Sequence, residues 1–274
     1  MKWCRYGQAG NETWGVMDGQ ETIRDASSLK VDLSNPLPVL TDSELSNLPK
    51  VDASVRLGAC VPRPGKLIGI GLNYSDHAAE SGMPIPEKPI MFMKATSSIC
   101  GPSDDLVLPP GAEKTDWEVE LAFVIGKPCS QTPVDQALDH VAGYLICNDV
   151  SDRGFQLEEG GQWTKGKSAD TFGPLGPLLV TPDLVGDPQN LGMWTKVNGE
   201  FVQNGSSKTM IFSVAEIIAH LSKFMTLETG DVVTTGTPPG CGLGMKPQRF
   251  LKAGDVVEVG IEGLGAQKQQ VVQG

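Results

Sequence analysis

The stretch from Asp116 to Gly126 limits what this chain can fold into more than any other. Glu118-Val119-Glu120 runs directly into Leu121-Ala122-Phe123-Val124-Ile125. A strand sends alternate side chains to opposite faces, so Glu118, Glu120, Ala122 and Val124 share one face and Val119, Leu121, Phe123 and Ile125 form an apolar opposite face. Both carboxylates then stand at the mouth of a buried strand. If their tips converge to about 6 Å, their repulsion is about 3 kcal/mol at an effective dielectric of ~20, so something positive should sit between them. Taken alone, a Glu-x-Glu pair is more often a solvated strand end, and the rest of the chain has to decide.

At 274 residues with 39% hydrophobic content, the chain can bury a substantial core. A net charge of -11 without a Lys/Arg run excludes a phosphate-backbone footprint, so nucleic acid is not expected as a partner. The first residues lack the apolar core of a signal peptide and no stretch approaches a membrane span, which predicts a soluble, cytoplasmic protein with no membrane partner. The six cysteines (Cys4, Cys60, Cys100, Cys129, Cys147, Cys241) include no Cys-x-x-Cys pair and read as free thiols. With 33 glycines and 20 prolines, many short strands joined by tight turns are expected, an α+β, mostly β chain.

Residues 1–61 read as a small β-rich N-terminal unit, with strands over Lys2–Tyr6, Thr13–Met17 and Glu21–Arg24 and a capped helix opening at Thr41-Asp42-Ser43-Glu44. The prolines and glycine of Val61-Pro62-Arg63-Pro64-Gly65-Lys66 mark a boundary, and residues 62–274 read as a larger domain. Its first strand, Leu67–Leu72, leads to a short helix capped by Asn73 or Ser75 and ended by Gly82, then a proline-rich loop. Together these suggest a movable flap over Tyr74–Glu87. A helix is expected over Pro133–Val141, and a buried strand, Gly143–Asn148, ends on the acid Asp149. The polar segment from Asp149 to Gly176 reads as a long functional loop. A second capping box at Ser213 opens a helix running to Thr229, and Val256–Ile261 is the last strand predicted.

Glu118, Glu120 and Asp149 together form an all-oxygen set suited to a hard cation, Mg²⁺ or Mn²⁺, with zinc disfavoured by the lack of nearby His or Cys. His77 and Glu80, three apart in a short helix, share a face on which a carboxylate can orient an imidazole, although such pairs are commonly surface decoration. His140 and His220 read as structural. Either Lys165 or Lys167 could place an ammonium near an oxyanion, and the sequence does not choose between them. Gly236-Thr237-Pro238-Pro239-Gly240 reads first as a tight turn.

Read together, five motifs in order resemble the fumarylacetoacetate hydrolase family. They are Gly71-Leu72-Asn73-Tyr74 with His77 and Glu80; Glu118-Val119-Glu120; Asn148-Asp149-Val150-Ser151; Lys167 with Asp170-Thr171-Phe172-Gly173-Pro174; and Gly236-Thr237-Pro238. The resemblance covers about Leu67 to Val259. The run Arg153–Pro174 looks most like a bacterial branch that includes hydrolases of 2,4-diketo-3-deoxy sugar acids. What the resemblance implies is a mixed β-roll catalytic domain, usually dimeric, with a variable N-terminal domain. It further implies Glu118, Glu120 and Asp149 as ligands of Mg²⁺ or Mn²⁺ and His77 with Glu80 as a water-activating dyad. Lys167 becomes the oxyanion partner, and Tyr74, Arg153, Gln156 and Thr237 become substrate contacts. The implied reaction is hydrolytic carbon–carbon cleavage of a small 2,4-dioxo acid to pyruvate and a second acid. Alternatives are decarboxylation of oxaloacetate and hydration or isomerisation of 2-oxo acids. A non-catalytic sugar-acid-binding protein would have no need of a base.

Overall fold

Val119–Ile125 forms a strand at the centre of a nine-stranded sheet, and all seven of its residues are buried. In the computed structural model, which describes residues 1–33 and 37–274, the alternation serves two cores rather than one. Val119, Leu121, Phe123 and Ile125 face a cluster shared with a second, five-stranded sheet and with the Val214–Leu221 helix. Ala122 and Val124 face a cluster completed by Trp3, Val16, Leu45 and Leu179. Full burial of a Leu or Phe side chain contributes about 1.5–3 kcal/mol, so this one strand ties both faces of the sheet to the fold.

In spatial order the nine strands are Ile23–Asp25, Thr13–Met17, Lys2–Tyr6, Leu179–Val180, Val141–Asn148, Val119–Ile125, Val232–Thr234, Leu67–Gly71 and Ile90–Lys94. Neighbours are antiparallel except Val232–Thr234 with Leu67–Gly71, so the sheet is mixed. Pro62–Lys66 is irregular, as expected of two prolines and a glycine, yet strands on either side of it belong to the same sheet. Lys2 pairs with Val180, and the N-terminal segment covers the second face of the central strands.

Both expected capping boxes form, at Thr41 and at Ser213. Several expectations are corrected. The strand predicted at Glu21–Arg24 lies at Ile23–Asp25. The Ser213 helix ends at Leu221 rather than near Thr229, and Val134–His140 is a 3₁₀ helix. Neither Asn73 nor Ser75 caps the Ser75–Ser81 helix, because the Asn73 amide is engaged by Phe212 and by the Thr235 carbonyl. The Asp149–Gly176 loop holds two short helices, Arg153–Leu157, capped by Asp152, and Thr164–Lys167. A further strand, Gly265–Gln273, follows Val256–Ile261, and its inward Gln267 and Gln269 hid it from a hydrophobic pattern. All six cysteines are free, and no described helix is long and apolar enough to cross a membrane.

Candidate active site

Strand pairing brings the three acids together. The antiparallel register sets Asn148 opposite Val119 and Cys147 opposite Glu120, so Asp149 leaves its strand beside Glu118. The Asp149 N–H donates to the Glu118 carbonyl at 2.9 Å, and the Glu118 N–H donates to the Asn148 side chain at 3.1 Å. On the other flank, the Val232–Thr234 strand leads to Gly236, whose N–H donates to a Glu120 carboxylate oxygen at 2.8 Å. Gly236 has φ +89°, and a Cβ there would meet Asn73 at 2.9 Å, so the turn that delivers this N–H needs glycine. Glu118, Glu120 and Asp149 each offer an oxygen within 4.8 Å of the others.

Three buried cations surround these acids. Lys167 Nζ donates to Glu118 at 2.7 Å and to Asp149 Oδ2 at 2.6 Å. Lys94 Nζ donates to Asp149 Oδ1 at 2.5 Å. Arg153 donates from Nη2 to Glu118 at 2.6 Å, from Nε to Asp116 at 2.9 Å and from Nη1 to Gln156 at 2.9 Å. Four carboxylates, counting Asp116, face three cations, and one negative charge is left over. It falls on Glu120, which none of the three cations touches. Burial alone would raise the pKa of Glu118, but Lys167 and Arg153 hold that carboxyl well below the usual range. Glu120 goes the other way: burial, then the charges of Asp149 and Glu118, push its carboxyl well above the usual range. An all-oxygen donor set with uncompensated negative charge fits a hard divalent cation, which Glu118, Glu120 and Asp149 would hold.

These acids lie at the floor of a cleft of about 570 Å³ whose walls carry the other expected residues. His77 Nδ1 lies 3.1 Å from Glu80 Oε2, and Glu80 in turn accepts the Gly240 N–H at 3.1 Å. The structure separates the two lysines: Lys167 is buried against the carboxylates, whereas Lys165 is exposed and bonded to the Glu159 carbonyl. Arg153 and Gln156 line the cleft, held by their mutual hydrogen bond. Thr237 lines it too, but its hydroxyl donates to the Val119 carbonyl at 2.9 Å and accepts from Gln203, so that group is already engaged. Tyr74 is placed elsewhere. It is fully buried with its hydroxyl against Met193 Sδ at 3.2 Å, and it packs in the core rather than facing a substrate.

Two residues escaped sequence reasoning. Lys94 ends a strand whose alternation puts it beside Phe92, and a terminal lysine ordinarily reads as solvated. Asp116 was passed over as the start of the Glu118 strand. It accepts the N–H groups of Gly242 at 2.7 Å and Leu243 at 3.0 Å as well as Arg153 Nε, so it ties the 242–251 loop to the site.

Comparison with known proteins agrees with this geometry. Residues 66–272 match the family described as fumarylacetoacetate (FAA) hydrolase C-terminal. A protein from Burkholderia multivorans, whose name assigns it provisionally to the hydrolases, is 55% identical over 98% of both chains. Among solved structures, a fumarylacetoacetate hydrolase from psychrophilic Exiguobacterium antarcticum superposes with a TM-score of 0.89 at 39% identity over the whole of both chains. A 5-carboxymethyl-2-hydroxymuconate delta-isomerase from Mycobacterium smegmatis does so with a TM-score of 0.83 at 32% identity, again over all of both chains. The chain belongs to the fumarylacetoacetate hydrolase family, whose enzymes include hydrolases, isomerases and decarboxylases of small oxo acids.

Proposed function

We propose that this protein is a divalent-metal-dependent hydrolase that cleaves a carbon–carbon bond of a small 2,4-dioxo acid, either an acylpyruvate or a 2,4-diketo-3-deoxy sugar acid. The observation that carries the reading is one cleft in which a three-carboxylate set, a buried lysine and a His–Glu pair face the same space. A base beside a cation site has a use only if water or substrate must lose a proton there.

Mg²⁺ or Mn²⁺ held by Glu118, Glu120 and Asp149 supplies Lewis-acid stabilisation of negative charge at the 2-oxo acid end of the substrate. With Nδ1 engaged by Glu80, His77 has Nε2 as the base that removes a proton from water. The resulting hydroxide attacks the 4-carbonyl, and the Lys167 ammonium donates to the oxyanion that forms. The C3–C4 bond then breaks, C3 takes up a proton, and the products are pyruvate and a carboxylic acid. Arg153 and Gln156 orient the substrate from the cleft wall, and the Leu157 and Trp163 side limits access of bulk water.

Isomerisation of a 2-oxo acid is a second reading, favoured by the likeness to the named delta-isomerase, and it needs a proton moved between carbons without addition of water. Pyruvate release, measured over acylpyruvates, sugar-derived dioxo acids and oxaloacetate with and without chelator, tests the first reading. Chelator-sensitive pyruvate from a dioxo acid supports it, with His77→Ala losing that activity while sparing oxaloacetate decarboxylation. Ultraviolet changes in dienol substrates without any pyruvate would transfer the assignment to isomerase, and turnover of oxaloacetate alone to decarboxylase.

A further inference from the structure

The cleft has two unlike ends. On its inner floor every charged side chain has a partner: Lys167 and Arg153 are bonded to Glu118, and His77 to Glu80. The middle is apolar, walled by Ile70, Leu72, Phe92, Leu157 and Trp163. At the outer end stands Lys246, exposed, with no ion pair or hydrogen bond for its ammonium among the described residues.

Lys246 is carried on a loop with fixed ends. Asp116 accepts the N–H groups of Gly242 and Leu243, the Arg249 N–H donates back to the Gly242 carbonyl at 3.2 Å, and the Leu251 N–H donates to the Thr115 carbonyl at 2.8 Å. The loop is also drawn tightly together: a Cβ on Gly242 would lie 1.8 Å from the Arg249 carbonyl oxygen. Gln248, on the same cleft wall, is tied by its amide nitrogen to the Leu243 carbonyl at 3.1 Å. Because Asp116 also accepts from Arg153, which donates to Glu118, the loop base is linked to the carboxylate floor.

We propose that Lys246 is a specificity-determining residue that reads an anionic group at the far end of the substrate. The favoured substrate class is then a dioxo acid with a second carboxylate beyond an aliphatic or unsaturated middle, rather than a polyhydroxylated sugar acid. This rests on the reading of the inner floor as the site that takes the 2-oxo acid end. Hydroxyl groups along the middle would lose water against apolar walls without gaining partners, whereas a methylene or vinylene chain fits them. A carboxylate reaching the outer end meets the one cation of the cleft that no protein group already holds.

The test compares three probes by titration calorimetry with Mn²⁺ present: oxalate, 2-oxohexanoate and 2-oxoadipate. The last two differ only in the distal carboxylate, and oxalate has none. Wild type should bind 2-oxoadipate about fivefold more tightly than 2-oxohexanoate, as for an exposed ion pair, and the advantage should shrink in high salt. Lys246→Met should abolish the preference and Lys246→Glu reverse it, with oxalate affinity and melting temperature unchanged in both. Lys252→Met, an exposed lysine of the same segment that lies outside the cleft, should keep the preference. Equal affinity of wild type for the two longer acids, or a preference that survives Lys246→Glu, overturns the assignment and leaves the proposed reaction standing. Failure of oxalate as well to bind with Mn²⁺ removes the inner-floor reading, and the Lys246 assignment with it.

Discussion

Glu118 and Asp149 are joined twice, once through the backbone, where the Asp149 N–H donates to the Glu118 carbonyl, and once through Lys167 Nζ, which both carboxylates accept. Glu120 shares neither link to a cation, and that asymmetry has measurable consequences.

Glu120→Gln replaces the uncompensated carboxylate with a neutral group of the same shape. The variant should melt in chelator at a temperature equal to or above that of wild type, because repulsion from Asp149 and Glu118 is removed. It should also fail to gain stability from Mn²⁺. Wild type, by contrast, should be stabilised by about 4 kcal/mol at a cation concentration a thousand times its Kd. Thermal melts with Mn²⁺ and with chelator check both halves. A variant that keeps the full Mn²⁺ response takes Glu120 out of the ligand set.

Arg153 satisfies two buried carboxylates, Asp116 and Glu118, from one guanidinium. Truncation to Ala leaves both charges in the interior, and breaking such a buried pair costs about 3–5 kcal/mol. Lysine should restore little, since an ammonium cannot reach Asp116, Glu118 and Gln156 in three fixed directions. Urea denaturation of Arg153→Ala and Arg153→Lys, compared with wild type, measures this. A loss under 1 kcal/mol for the alanine variant would mean that water or rearrangement satisfies the two acids.

Far from the cleft, Arg56 donates to Glu12 at 3.0 Å. Burial raises the Glu12 pKa, but hydrogen bonds from Arg56 and from nearby backbone groups outweigh it and leave the carboxyl below its ordinary value. A group whose pKa is lower in the folded state stabilises above its unfolded value, about 4.3, and loses that contribution as pH falls through the folded one. The melting-temperature gap between wild type and Glu12→Gln should therefore be constant from pH 7 to about 5 and close below that. A gap that widens on acidification contradicts the sign.

How much of this could be read from the chain depended on whether partners were local. Period-two alternation is a local property, so the shared face of Glu118 and Glu120 was legible, as was Asp149 at the end of an apolar run. The partner of Lys94 lies 55 residues away, and nothing around Pro89–Lys94 marks that lysine as buried. Gln267 and Gln269 defeated the pattern for the opposite reason. They are polar residues on an inward face, where Gln267 donates to the carbonyls of Ile146, Pro174 and Gly176. Tyr74 sits within a motif beside His77, but a helix start carries its ring into the core while the next turn faces the cleft.

Gly71 and Trp163 provide the sharpest test of how the cleft wall is built. The Trp163 ring lies against the Gly71 backbone so closely that a Cβ on residue 71 would come within 2.2 Å of it. Trp163 also contacts Phe92, ring centroids 5.8 Å apart, and immediately precedes the Thr164–Lys167 helix. Gly71→Ala must therefore push the indole outward and disturb the segment that ends on Lys167, at a cost of about 1–3 kcal/mol for overpacking. Activity should fall with it. Trp163→Ala leaves room for the new methyl group, so Gly71→Ala should cost far less stability in that background. The double-mutant cycle should show a coupling of about 1 kcal/mol or more, as expected of residues in contact. Equal penalties in both backgrounds would show that the strain lies in the Leu67–Gly71 strand itself, and that the wall does not depend on this contact.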